Sequence, residues 1–229
     1  MGLTVAIHQP NYVPWLGYFA KIARADLFVF LDDVQFSKNS YINRVQVLGN
    51  GAARWLTVPV SVHLGQTIAE VRPAQPGWEA RHLDTLRGSY RQAAHFRDIW
   101  PLVNTLYADL PGTSIAASNR MLVERIAELL GLTCRFTASS EIATENATSD
   151  TRLARIVAAV APEGTYLSGR GGAAYQSPDT FARAGLSLAY TDFQHPAYVQ
   201  SASEFIGGLS VLDALFHCGI DAVSRFLRP

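Results

Sequence analysis

Two short apolar runs separated by one helix-like segment constrain the fold of this chain more than any other feature. Residues 3–8 (LTVAIH) and 27–31 (LFVFL) are apolar almost throughout, which is typical of strands that are buried on both faces of a parallel sheet. Between them, residues 16–25 carry apolar side chains at helical spacing. The pattern predicts a right-handed strand–helix–strand unit whose two strands are adjacent and parallel.

Later segments extend this pattern. Residues 41–60 form two β-rich runs around Asn50-Gly51, a strong signal for a tight hairpin turn. Residues 68–71 are predicted as a short strand, and residues 78–131 have helical periodicity. Strands and helices then alternate again.

The predicted fold is therefore α/β, a mainly parallel Rossmann-like sheet with a β-hairpin and a helical insertion at about 78–131. We expect residues 1–229 to form a single domain. The last helix is predicted at 210–216.

Composition excludes several classes of function. The chain has 229 residues, 48% of them hydrophobic, which is enough for a large core without metal or disulfides. Nineteen basic residues balance nineteen acidic ones, so we expect no nucleic-acid partner. The N-terminus lacks a signal-peptide pattern, no apolar run is long enough for a bilayer, and there are only two cysteines. These features predict a cytoplasmic protein that does not bind membranes.

Three titratable residues follow the two apolar runs. His8 ends the first run, and Asp32 and Asp33 come directly after the second. Carboxyl ends of parallel strands share one sheet edge, where ligands bind. We interpret all three as candidate catalytic residues, with an Asp orienting a His8 whose pKa lies near neutrality. The alternative is that His8 hydrogen-bonds the turn and one Asp caps it.

Two further blocks carry candidate substrate-binding residues, and we expect them to line one pocket with His8. The polar block is Gln35, Lys38, Asn43 and Arg44, which suits an anionic ligand; Gln9 and Tyr12 precede it. The glycine-rich block is Ser168, Gly169, Arg170, Gly171 and Gly172, followed by Tyr175. The alternatives are a solvated edge strand for the first block and a plain tight turn for the second.

The cysteines and the remaining histidines suggest little chemistry. Cys134 lies in a predicted strand and is interpreted as a core residue. Cys218 follows His217, but adjacent helical residues point in different directions, so this His is poorly placed to activate this Cys. The six histidines are scattered without metal-ligand spacing, so no metal site is predicted.

Four blocks in order resemble the WbqC-like family of bacterial proteins: HQPNYVPWLGYFAKI, FVFLDDVQFSKNSYINR, WLTVPV and YLSGRGGAAY. The resemblance runs from Thr4 to about Phe216. The family is often encoded near polysaccharide or secondary-metabolite genes, and transferase roles have been proposed for it. One departure is His217, where the family pattern usually has Asn.

A second resemblance concerns topology. A strand, a His, a Pro-containing turn, Gly-aromatic and a helix look like the start of nucleotidyltransferases with an HxGH motif. Tyr18 stands where the second His would follow Gly17. The resemblance implies the topology of those enzymes, and the departure leaves their adenylyl transfer in doubt.

Three functions follow as hypotheses. The first is a biosynthetic transferase that moves an acyl or aminoacyl group onto an amine of a sugar or secondary-metabolite intermediate. An acyl-thioester or ATP would be its co-substrate, and a carrier protein is a candidate partner. The second is a nucleotide-handling enzyme of HxGH-like topology. The third is a non-catalytic binding or scaffold protein of a biosynthetic pathway.

Overall fold

A computed structural model describes residues 2–144 and 147–228 of the chain. Its strands are β1 (Thr4–His8), β2 (Leu27–Phe30), β3 (Arg44–Gly49), β4 (Ala52–Thr57), β5 (Val60–Ser61), β6 (Arg72–Pro73), β7 (Arg135–Ala138), β8 (Thr165–Ser168) and β9 (Ser187–Tyr190). Its α-helices are α1 (Leu16–Ile22), α2 (Trp78–Tyr90), α3 (Phe96–Ala108), α4 (Ile115–Leu129), α5 (Ser149–Val160), α6 (Pro178–Arg183) and α7 (Val211–Leu227).

The main sheet has five strands in the order β7-β2-β1-β8-β9, and all four pairings are parallel. This confirms the α/β, Rossmann-like prediction, and β1 and β2 are adjacent and parallel as predicted. From β1 the chain first builds outward through β2 and β7. It then returns to the other side of β1 and adds β8 and β9. The boundary between β1 and β8 is therefore the point where the strand order reverses.

The continuous apolar runs are explained by a core on each face of the sheet. Val5 and Ile7 of β1 pack in a cluster with residues of α5 and α6. Ala6 and Phe28 face the opposite, larger cluster, which contains residues of α1, α4 and α7. Because successive strand residues point to opposite faces, a strand with helices on both sides must be apolar at every position.

The hairpin is confirmed, and the predicted strand at 68–71 is wrong. β3 pairs with β4 in antiparallel register around Asn50 and Gly51, whose φ angles are 53° and 76°. Ile68 and Val71 are both fully buried. Residues three apart point to opposite faces of a strand, so burial of both side chains in one core fits the turn that the chain makes here. The short strand follows as β6, which pairs with β5.

Helices α2, α3 and α4 occupy the segment predicted as a helical insertion, between β6 and β7. The last helix extends well beyond the predicted 210–216. It contains a non-helical residue at Gly219, where φ is 77°. A Cβ at this position would lie 2.8 Å from Nδ1 of His95, so both the backbone and the neighbour require glycine. Within the described residues, no helix combines the length and apolarity needed to cross a membrane.

Candidate functional site

A cavity of about 450 Å³ opens where the strand order reverses, at the carboxyl ends of β1 and β8. We call it the switch cavity. Its lining comes from the end of β1, from α1, from the turn after β8 and from the segment after β9: Ile7, His8, Trp15, Gly17, Tyr18, Lys21, Tyr166, Ser168, Gly169, Arg170, Gly171, Gly172, Tyr175, Thr191 and Phe193. Open α/β sheets bind ligands at this place. His8 and the glycine-rich turn thus share one cavity, as predicted.

His8 is held in one tautomer by the backbone. Its Nδ1 lies 3.1 Å from the carbonyl oxygen of Gln9, which can only accept, so Nδ1 carries the proton. The Tyr18 hydroxyl donates to the same carbonyl at 2.9 Å, and the Tyr18 ring meets the imidazole edge-on at 4.8 Å between centroids. Nε2 therefore holds the lone pair, and it has no hydrogen-bond partner in the part of the chain that the structure describes.

The protonation state of His8 differs from the expectation. Burial, and then the nearby charge of Lys21, lower the pKa of His8 to about 3. Burial disfavours the charged imidazolium, and a cation disfavours it further. The prediction of a pKa near neutrality is therefore wrong. At neutral pH His8 is a neutral side chain that accepts hydrogen bonds at Nε2.

Lys21 is the principal cavity residue that the sequence did not single out. Its side chain is only 5% exposed, and Nζ donates to the carbonyl oxygen of Ile7 at 3.0 Å. Among the described residues it has no acidic partner, and burial lowers its pKa to about 8. A signal was present, because Lys21 follows Gly17 and Tyr18 by four and three residues, the spacing of one helical face.

The turn after β8 brings backbone close to the cavity. A Cβ on Gly169 or Gly171 would meet no atom within 4 Å, whereas one on Gly172 would overlap the hydroxyl oxygen of Ser168. Two of the three glycines therefore leave open space beside the lining, and the third permits tight packing. Arg170 and Tyr175 lie exposed on this wall.

The turn after His8 is strained and is held from two directions. Val13 has a φ of 39°, which is rare for a β-branched residue. Ser210 donates its hydroxyl to the carbonyl of Val13 at 2.7 Å, and Asn119 of α4 donates to the carbonyl of Pro10 at 2.8 Å. Such strain persists only where the surrounding structure enforces it. The path from His8 to α1 is therefore imposed by distant elements.

Asp32 and Asp33 do not line the switch cavity, so the expected Asp–His8 pair is wrong. Asp32 is buried and accepts hydrogen bonds from the backbone N–H and hydroxyl of Ser140 at 3.0 and 2.8 Å. Asp33 accepts from the hydroxyl of Ser139 and from Arg152. These five residues form what we call the carboxylate corner, at the ends of β2 and β7. Both carboxylates tie the sheet edge to the following turn and to α5.

The polar block 35–44 is also outside the switch cavity. Gln35 and Lys38 are exposed on a loop. Asn43 is buried and donates to the carbonyl of Val58 at 3.2 Å, while the Arg44 guanidinium lies 4.0 Å from the centroid of the Trp55 ring. The single-pocket prediction is wrong for these four residues because their segment leads into the hairpin instead of returning to β1.

Gln9 and Tyr12 contribute backbone and core. The carbonyl of Gln9 fixes His8, but its side chain is not part of the cavity lining. Tyr12 is 1% exposed and its hydroxyl contacts the Tyr107 hydroxyl and, at 2.8 Å, Nδ1 of His82. Nε2 of His82 donates to the carbonyl of Thr57 at 3.0 Å. Tyr12 thus belongs to a buried network under α2 and not to a substrate surface.

The cysteines are not activated. Burial and Asp26 raise the pKa of Cys134 to about 12, and burial and Asp213 raise the pKa of Cys218 to about 11. Both thiols are therefore protonated near neutral pH, whereas a nucleophilic thiol requires a lowered pKa. No group of three or more His, Cys, Asp or Glu side chains is arranged for a metal ion within residues 2–144 and 147–228.

A larger cavity, of about 600 Å³, lies at the opposite edge of the sheet. Ala25 and Cys134 line it just before β2 and β7 begin, together with Asp221 and Arg225 of α7. This edge holds the amino ends of the parallel strands, away from the edge where ligands of such sheets bind. The switch cavity is smaller but brings together an imidazole, an ammonium, a guanidinium and accessible glycine backbone.

Comparison with known proteins finds sequence similarity over nearly the whole chain. The model of the WbqC-like protein family matches residues 9–225. The chain belongs to the WbqC-like protein family. A relative from Mycobacterium tuberculosis, the uncharacterized protein Rv1507c, is 31% identical over 221 residues, which is 95% of each chain. No solved structure matches the chain. The family resemblance inferred from the four sequence blocks is therefore confirmed.

Proposed function

We propose that this family member is a biosynthetic transferase whose active site is the switch cavity. It would move an acyl or aminoacyl group onto an amine of a sugar or secondary-metabolite intermediate. One observation carries the proposal: the neutral imidazole of His8, fixed at Nδ1 by a backbone carbonyl, keeps Nε2 unpaired beside two cationic side chains. This arrangement suits proton removal from a nucleophile next to a bound anion.

Lys21 and Arg170 are suited to hold the donor. Both line the cavity, and among the described residues neither has an acidic partner in an ion pair. A partly buried cation without a counter-charge favours an anionic ligand, because the ligand supplies the missing charge. Acyl donors in biosynthesis are activated as thioesters or as acyl adenylates, and both carry phosphate. The accessible backbone at Gly169 and Gly171 adds room beside these cations.

The proton path follows from the tautomer of His8. The attacking amine forms a bond to the acyl carbon, and the leaving thiolate or phosphate departs with its electron pair. The amine proton passes to Nε2 of His8 while Nδ1–H stays on the Gln9 carbonyl. An anion bound next to Lys21 offsets the charge that lowers the His8 pKa. Donor binding would therefore make His8 a better base when it is needed.

A nucleotide-handling enzyme is the second candidate, and the strand order favours it. The cavity lies at the reversal point of a doubly wound sheet, the position where such folds bind nucleotides. Against full HxGH chemistry, the ring of Tyr18 packs on His8 where that motif has a second His. ATP and coenzyme A therefore serve as separate ligands in the test.

The test measures binding of ATP, coenzyme A and acetyl-coenzyme A by calorimetry and thermal unfolding. A ligand at 100 times its Kd would stabilise the protein by about 2.7 kcal/mol. We expect Lys21→Met to weaken binding at least about tenfold, since a buried charged partner contributes more than about 1.4 kcal/mol. Arg87→Ala is the matched control, because Arg87 is an exposed cation on α2 away from the cavity.

Turnover separates binding from catalysis. With the ligand that binds, His8→Ala should retain affinity and lose about 10²–10⁴-fold in transfer rate. Binding that Lys21→Met leaves unchanged would reject the switch cavity as the site. Failure of all three ligands to bind, together with capture of a pathway protein, would favour the scaffold hypothesis.

A further inference from the structure

His217 is the residue whose placement the proposed function leaves unused. His217 is poorly placed in the sequence to activate Cys218, and the fold turns its imidazole toward Ser201. Nε2 of His217 lies 3.1 Å from the hydroxyl oxygen of Ser201 and 3.1 Å from the backbone nitrogen of the same residue. Ser201 is exposed, whereas the His217 side chain is 6% exposed. The imidazole thus lies directly beneath a surface serine.

The contacts decide which nitrogen carries the proton. A backbone N–H can only donate, so Nε2 of His217 must hold the lone pair. The proton is then on Nδ1, which lies 2.8 Å from the carbonyl oxygen of Asp213 and 3.5 Å from its carboxylate Oδ1. This is the tautomer in which a histidine removes a proton from serine and is oriented by an aspartate.

Asp213 is built into α7 as a buried carboxylate. Its side chain is 0% exposed, and Oδ2 accepts hydrogen bonds from the Tyr198 hydroxyl at 2.8 Å and from Gln200 at 2.7 Å. Oδ1 is buried and meets no hydrogen-bond criterion within the described residues, and the Tyr90 hydroxyl interacts with the same carboxylate. Oδ1 lies 3.5 Å from Nδ1 of His217. An unsatisfied buried oxygen there stabilises positive charge on the imidazole when it takes a proton.

Ser201 also borders a small cavity. The cavity has a volume of about 260 Å³ and is lined by the β3–β4 turn, the end of α2 and the residues after it: Leu48, Asn50, Gly51, Gly88, Ser89, Arg91, Gln92 and Ser201. Asn50, Arg91 and Gln92 in its lining carry hydrogen-bond donors. The space fits a small acyl group with a polar or anionic end. It is distinct in its lining from the switch cavity.

We propose that Ser201, His217 and Asp213 form a second reactive site, which cleaves small acyl esters or thioesters. The Ser201 oxygen attacks the carbonyl carbon and its proton passes to Nε2 of His217. The carbon–oxygen or carbon–sulfur bond then breaks, the leaving group takes that proton, and an acyl-serine remains. Water attacks the acyl-serine, again losing a proton through His217, and releases the carboxylic acid and free Ser201. Asp213 acts as a positioning residue.

The test is covalent labelling with a fluorophosphonate, which reacts with activated serines without needing the natural substrate. Because the amide and hydroxyl of Ser201 share one lone pair of His217, we expect slow reaction with unactivated esters and therefore use this activated probe. Mass spectrometry of the digested protein should place the label on Ser201. His217→Ala should slow labelling by about 10²-fold or more. Ser203→Ala is the matched control, an exposed serine in the same loop.

Several outcomes would overturn the proposal. One is a wild-type protein that stays unlabelled under conditions in which a serine hydrolase is labelled. The others are a label on a residue other than Ser201 and an unchanged labelling rate in a folded His217→Ala variant. Asp213→Asn tests positioning through the pH profile of labelling, which a carboxylate with a purely structural role would leave unchanged. Should Asp213→Asn fail to fold, the position of the label in the wild type and the labelling rate of His217→Ala still decide the matter.

Discussion

The two halves of one sheet edge use polar residues in opposite ways. At the ends of β2 and β7, the carboxylate corner pairs its two carboxylates with two serines and an arginine. At the ends of β1 and β8, the switch cavity holds an imidazole, an ammonium and a guanidinium without acidic partners among the described residues. Polar groups that satisfy one another stabilise a fold, whereas unsatisfied ones are available to a ligand.

The difference teaches that position at a carboxyl edge is not enough to assign a function. His8 is the last residue of β1, and Asp32 and Asp33 follow the end of β2 within three residues. Their surroundings differ because Ser139 and Ser140 begin a turn that donates hydrogen bonds to the carboxylates after β2, whereas the end of β1 opens into the switch cavity. Mutations in the two regions should therefore have different effects on stability and on ligand binding. Variants of the carboxylate corner should cost stability and spare ligand binding, and variants of the switch cavity should do the reverse.

The largest effect on stability is expected for Asp32→Ala. This change removes the acceptor of both the backbone N–H and the hydroxyl of Ser140 and leaves a gap at a buried position, while the Ser139 hydroxyl keeps Asp33 as its acceptor. We expect a loss of about 2–4 kcal/mol in the free energy of unfolding, measured by urea denaturation. Lys38→Ala, an exposed cation on the following loop, is the control and should change stability by less than about 0.5 kcal/mol. A stable Asp32→Ala protein with weakened ligand binding would contradict the division of roles.

A smaller effect of opposite sign is expected for Lys21→Met. Burial lowers the pKa of Lys21 to about 8, so keeping this side chain charged at neutral pH opposes folding. Replacing it with an apolar side chain of similar length removes this cost but also loses the hydrogen bond to the Ile7 carbonyl. We expect the free energy of unfolding to rise by about 1–2 kcal/mol as the net result. Chemical denaturation measures the change. A gain in stability joined to a loss of anion binding is the signature of a residue retained for function. A destabilised Lys21→Met protein would make Lys21 structural.

The third expected effect concerns the pH dependence of stability. Since the pKa of His8 is lowered to about 3 in the folded state, the unfolded chain binds the additional proton between about pH 6.5 and that value. Folding stability therefore falls as pH drops through this window, by about 1.4 kcal/mol per pH unit at most from His8. Burial lowers the pKa of His82 to about 4, which adds a second contribution of the same sign.

Urea unfolding of wild type and His8→Ala at about pH 7 and about pH 4.5 isolates the His8 part, because His82 is present in both proteins. The variant should lose less stability on acidification than the wild type. Equal losses would mean that His8 titrates normally and that its surroundings do not exclude the charged form. A bound anion next to Lys21 should reduce the difference, which links this measurement to the proposed donor site.

Much of the fold was accessible from local pattern. Apolar runs with one intervening helix predicted β1 and β2, and Asn50-Gly51 predicted the hairpin, because period and turn chemistry act over few residues. The strand predicted at Ile68 and Val71 is wrong because β-prone residues three apart also suit a turn over a core.

The candidate site was predicted only in part. The sequence placed His8 and the 168–172 turn in one cavity, but it did not single out Lys21, because a lone lysine in a helix is usually solvated.

The sequence by itself determined the parallel sheet, the hairpin, the family and the sheet edge where the candidate site lies, since each depends on short-range periodicity or on rare residues in order. Only the tertiary structure decided which polar groups at that edge are satisfied. Ser139 reaches Asp32 across 107 positions, and Ser210 reaches the strained Val13 across 197. Hydrogen bonds between residues so far apart depend on the packing of whole elements, and local sequence carries no measure of that packing.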